Sequence, residues 1–137
     1  MSPRTFQVTF YTRDPPRLAR FWASALGYVE EPPPHGFTTW EAFAIAHDIP
    51  RGDWEALASL VHPGGMGPRL LFHRVKREKT GKNHLHLDVT VGGELADLRA
   101  EAERLIAQGA RRVREVDNGR ERWIAMTDPD GNEFCLQ

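Results

Sequence analysis

His84-Leu85-His86-Leu87-Asp88-Val89-Thr90-Val91 is the stretch on which the fold turns. Leu85, Leu87, Val89 and Val91 alternate with His84, His86, Asp88 and Thr90, and a period of two predicts a β-strand with one apolar and one polar face. Gly92-Gly93 then leads into helical spacing from Glu94 to Gln108, with Leu95, Leu98, Ala102, Leu105 and Ile106 inward and Gly109 as the stop. Strands are expected at about Arg112 to Val116, Arg122 to Met126 and Glu133 to Leu136. The turns between them, Asp117-Asn118-Gly119 and Asp128-Pro129-Asp130-Gly131-Asn132, are rich in residues that tolerate left-handed backbone. A helix that roofs the strands covers their apolar face, so the polar face looks toward a ligand-filled interior or toward solvent.

The same syntax stands earlier in the chain. Phe6, Val8 and Phe10 alternate with Gln7, Thr9 and Tyr11. Asp14 offers an N-cap carboxylate, Pro15 suits a first helical turn, and Gly27 supplies a stop. Leu18, Phe21, Trp22, Ala25 and Leu26 form the apolar stripe between them, and Tyr28 to Glu30 reads as a strand. Leu57 to Val61 and Arg69 to Val75 form a predicted hairpin. Aligning Gln7 with His86, an offset of 86 − 7 = 79, also aligns Phe10 with Val89 and Asp14 with Gly93, each pair at the same distance from its helix. The Pro32-Pro33-Pro34 loop and a helical segment at about residues 39–55, containing Trp40 and Trp54, interrupt the first copy. The expected architecture is α+β: one domain over residues 1–137, with a first βαβββ module at 5–76 and a second at 83–137, joined by the basic link Lys76 to Lys82.

Bulk composition narrows the partners. The 137 residues carry 18 Lys and Arg against 19 Asp and Glu, a net charge of −1 with the signs interspersed. No basic field is present to hold nucleic acid, and no polybasic run or long apolar stretch to hold a membrane. The lone Cys135 has no internal disulfide partner, which fits a reducing cytoplasm, the expected location. Dinucleotide-binding glycine patterns, P-loops and serine nucleophile elbows are absent.

Three segments together carry a family resemblance. Phe10 to Trp22 with Ala25-Leu26-Gly27-Tyr28 resembles the first strand and helix of the vicinal-oxygen-chelate superfamily, the glyoxalase/bleomycin-resistance/dioxygenase group. Lys82 to Val89 is similar to its fifth strand, and Thr127-Asp128-Pro129-Asp130-Gly131-Asn132-Glu133-Phe134 to its closing turn and strand. The glyoxalase-like branch is the most similar. The resemblance implies that the two modules form an eight-stranded half-barrel pair around a small-molecule cavity, that the chain is a homodimer, and that residues of strands one, four, five and eight meet a divalent metal. Carried over by strand position, these are Gln7, His73, His86 and Cys135, of which His73 and Cys135 stand where metal-dependent members generally carry Glu.

Read by their chemistry, two imidazoles, an amide oxygen and a thiolate suit Zn, Fe or Ni better than Mg or Ca. A chain without metal, with Cys135 as a small apolar filler, is the competing reading. A glyoxalase-type isomerase needs a carboxylate whose pKa is raised by burial. Glu133 and Asp88 are the catalytic candidates for that role, and neither occupies the usual position, so lactoylglutathione lyase activity is not expected. The expected function is a metal-dependent lyase, isomerase or oxygenase acting on a small organic molecule. Its alternative is metal-free sequestration of a drug-like ligand, as in bleomycin-resistance proteins. Tyr11, Trp40, Trp54, Phe72 and His84 are the candidate ligand-binding residues, with Phe43 and Trp123 as further stacking faces.

Overall fold

The computed structural model describes residues 3–137, which divide into two compact units with the boundary between Arg77 and Glu78. In the first unit β1 (Gln7–Thr12) is followed by α1 (Pro15–Leu26), β2 (Val29–Glu30), α2 (Trp40–Ala46), a 3₁₀ turn at Arg51–Asp53, β3 (Leu57–Val61) and β4 (Arg69–Arg74). The second contains β5 (Leu87–Val89), α3 (Leu95–Ile106), β6 (Arg111–Asp117), β7 (Arg122–Thr127) and β8 (Glu133–Leu136). The sheet orders, β1-β4-β3-β2 and β5-β8-β7-β6, are copies of one another. In each, the first strand runs parallel to the last and the rest pair antiparallel. These are two βαβββ modules, with α2 inserted in the first.

Local chemistry sets the helix ends. The Asp14 carboxylate accepts a hydrogen bond from the Arg17 amide, Pro15 begins α1, and Gly27 ends it in the left-handed region at φ 70°. The Glu94 amide donates to the Asp97 carboxylate at 2.7 Å at the start of α3. Each helix then buries one stripe against its own sheet. Leu18, Ala19, Phe21 and Trp22 do so in the first unit, where Leu60, Leu70 and Phe72 are also buried. Leu98, Ala102 and Leu105 do so in the second, with Ile124, Met126, Phe134 and Leu136. At roughly 1.5–3 kcal/mol per fully buried large apolar side chain, these two layers are the main source of stability.

Two expectations are corrected here. The alternation from His84 to Val91 is longer than the strand it makes. The regular strand is Leu87–Val89, paired only with β8, with the Val91 and Gly92 amides adding hydrogen bonds to the Gln137 carbonyl, so residues 84–86 precede it. Leu85 is consequently 87% exposed. Phe72, expected to line a ligand site, is fully buried on the helix-covered face of β4 and stacks on Phe10 with ring centroids 5.0 Å apart. It is a core residue, since β4 places Leu70 and Phe72 on the covered side and Leu71 and His73 on the open one.

Candidate metal centre

α3 covers one face of the second sheet, and on the other face Trp123, Ala125, Thr127, Glu133 and Cys135 are half-buried. Asp88 of β5 lies directly opposite Cys135 of β8, and directly opposed residues project from the same face of a sheet. His86 precedes β5 by one residue, and its Nε2 lies 3.1 Å from the Asp88 Oδ1. The imidazole nitrogen, the carboxylate oxygen and the Cys135 Sγ all lie within 4.8 Å of one another. Among the described residues this is the one group of three such donors close enough to share an ion.

The electrostatics of the trio follow from partial burial. The Cys135 thiol is pushed above its ordinary pKa, first by desolvation and then by the Asp88 charge, and Arg114 and Lys82 oppose the shift more weakly. Without a cation the sulfur therefore stays protonated at neutral pH. This disfavours a nucleophilic cysteine, which needs a lowered pKa. A divalent cation removes the conflict, because thiolate and carboxylate then face a positive charge rather than each other. A nitrogen, an oxygen and a sulfur donor supplied by three residues leave further coordination positions for solvent or substrate, the arrangement of a catalytic rather than a structural zinc or iron site. The residues present fit such an ion.

The other candidates are placed as follows. Glu133 shares the open face of β8 but is ion-paired to Lys82 at 3.0 Å, and that hydrogen bond holds its pKa below the usual range. A proton-shuttling carboxylate needs the opposite shift, so the Lys82 ion pair argues against the acid–base role expected of Glu133. Asp88 belongs to the donor trio itself. His84 is exposed and outside the strand.

In the first unit, the structure does not bring Gln7 and His73 together. Gln7 is in register with Arg69, whereas His73 is in register with Tyr11, four residues further along both strands. At about 3.3 Å per residue this separates them by roughly 13 Å, too far to share an ion. The Gln7 amide oxygen also already accepts a hydrogen bond from Arg69 at 2.9 Å, so a guanidinium sits where a cation would have to approach. Arg69 in turn grips both carboxylate oxygens of Glu31, at 2.9 and 2.8 Å, and Ser59 donates to the same carboxylate at 3.0 Å. No sequence pattern announced this cluster, because its members come from separate strands and a loop. Tyr11 is 66% exposed with its ring edge-on to His73. Trp40 donates its indole N–H to the Glu31 carbonyl just after β2, and Trp54 donates to the Ile49 carbonyl within the inserted segment.

The profile of the glyoxalase-like domain family matches residues 7–137, nearly the whole chain. The chain belongs to this family. Solved structures agree on the fold. A fosfomycin resistance protein FosX from Mesorhizobium loti superimposes with a TM-score of 0.66 at 16% identity, covering 100% of this chain and 92% of that one. A glyoxalase/bleomycin resistance protein/dioxygenase family enzyme from Burkholderia phytofirmans PsJN gives 0.65 at 16% identity, with 95% and 94% covered. A point mutant of the Listeria monocytogenes FosX, complexed with Mn(II) and 1S,2S-dihydroxypropylphosphonic acid, gives 0.60 at 15% identity, with 100% and 90% covered. No curated protein matches this chain by sequence. No helix of the described residues is long and apolar enough to cross a membrane. The glyoxalase-like family thus accounts for the duplicated βαβββ architecture, and the chemistry of this member rests on its own side chains.

Proposed function

We propose that this glyoxalase-like protein is a divalent-metal-dependent enzyme, a lyase, isomerase or oxygenase, acting on a small organic molecule at the open face of its second unit. The convergence of His86, Asp88 and Cys135 carries the reading. Asp88, directly opposite Cys135, supplies the carboxylate donor of the set. Zinc or iron suits a set containing sulfur and imidazole better than magnesium or manganese. Such a metal, when bound, supplies a Lewis acid that polarises a substrate oxygen. The protein's own part is to hold the imidazole against Asp88, to keep the sulfur partly shielded from solvent, and to confine Glu133 in its ion pair with Lys82. Assembly as a homodimer in the cytoplasm is part of the proposal; a solution mass near 15.6 kDa rather than twice that value removes the dimer.

Metal analysis of protein purified without a histidine tag tests the function. About one zinc or iron per chain is expected, lost in His86→Ala and in Asp88→Asn. Protein that retains no metal, yet whose tryptophan fluorescence is quenched by micromolar planar compounds, supports sequestration instead. In the first unit Phe72 is in the core, so the exposed rings left for that alternative are Phe6 and Tyr11, at 68% and 66% exposure, with Trp40 and Trp54 half-buried.

A further inference from the structure

One row of side chains crosses the whole open face of the second sheet. Asp88 is opposite Cys135, Cys135 opposite Ala125, and Ala125 opposite Arg114, so all four project from the same face. Asp88 and Cys135 are donors of the trio. Ala125 next to them has only a methyl group, and Trp123 and Thr127 stand two residues away along β7 on the same face. Arg114 closes the far end, two strand spacings or roughly 10 Å from Cys135.

Arg114 owes this direction to an irregularity. The β6–β7 register shifts between Arg112 and Arg114, so that Val113 is an extra residue. A regular strand would put Arg112 and Arg114 on one face. Here Arg112 turns to the helix side and binds Glu103 of α3, whereas Arg114 turns to the open side. Bulges commonly re-aim side chains beside functional sites. The charges of β6 also differ in how they are used. Arg112 and Glu115 are neutralised by Glu103 and Arg99 of α3, but the Arg114 guanidinium has no hydrogen bond or ion pair among the described residues.

We propose that Arg114 is a specificity residue that binds an anionic group of the substrate, so that the molecule handled here is a small acid with a chelating head at His86, Asp88 and Cys135 and a carboxylate or other oxyanion at its tail. A guanidinium suits such a group because it pairs with planar oxyanions through two parallel hydrogen bonds. A solvated edge-strand arginine, there to discourage sheet extension, is the plain competitor, and it predicts no ligand preference.

The inference rests on the metal reading, and the test separates the two. Zinc-loaded protein is titrated calorimetrically with 2-hydroxyglutarate and with 2-hydroxypentanoate, which share a chelating head and chain length but differ in the tail carboxylate. The charged probe is expected to bind about tenfold to a hundredfold more tightly. Arg114→Gln removes the preference and Arg114→Lys keeps part of it, with zinc stoichiometry unchanged in both. Equal affinities in the zinc-loaded wild type, or a preference that survives in Arg114→Gln, overturn the Arg114 assignment alone. Failure of the wild type to take up zinc overturns both readings.

Discussion

Cys135 shows how a single residue's environment selects its chemistry. Burial and Asp88 both raise its pKa, so metal must compete with a proton for the sulfur. The sign is fixed: below the raised pKa each unit of pH removes a factor of ten in competing protons. Zinc affinity is therefore expected to rise by about tenfold per pH unit between 6 and 8 from this group alone. In Cys135→Ser that slope flattens by about one, since a serine hydroxyl carries its proton throughout the range. Competition with a chromophoric chelator measures it, and an unchanged slope in the variant removes Cys135 from the site. From the sequence, His86 and Cys135 were read as metal candidates by their places in strands five and eight, and the proposed site keeps both, with His86 one residue before β5. Asp88 was visible as an inward carboxylate, but its role as a donor depends on the β5–β8 register, which pairs it with Cys135 and which no local pattern encodes.

Strand register also explains what failed among the elements. The offset of 79 that aligns Gln7 with His86 aligns Thr9 with Asp88 (88 − 9 = 79). Thr9 pairs with Leu71, so the first-unit counterpart of Cys135 is Leu71 rather than His73. A reading by strand position was two residues out, because a strand's identity is written in its alternation but its register against a distant partner is not. Helices were read more accurately, since caps are local: Asp14, Pro15 and Gly27 bound α1 where the sequence placed its ends. The face of a strand can be tested directly. Phe72→Ala is expected to cost about 3–5 kcal/mol in urea unfolding, as for a core aromatic. A cost below about 1 kcal/mol would return Phe72 to a ligand-facing role.

For the molecule as a whole, duplication is what the two halves make plain. Both sheets have the same strand order and the same parallel pairing of first and last strands, although few residues are shared between them. Hydrophobic periodicity survives such divergence because burial under a helix demands it, while the open faces are free to specialise. The first unit filled its open face with the Arg69–Glu31–Gln7 cluster; the second placed a nitrogen, an oxygen and a sulfur within reach of one ion. Cobalt(II) titration reads that difference most directly. One equivalent per chain is predicted, with a sulfur-to-cobalt charge-transfer band that disappears in Cys135→Ser. Saturating cobalt without that band in the wild-type protein, or no cobalt bound at all, would contradict the account.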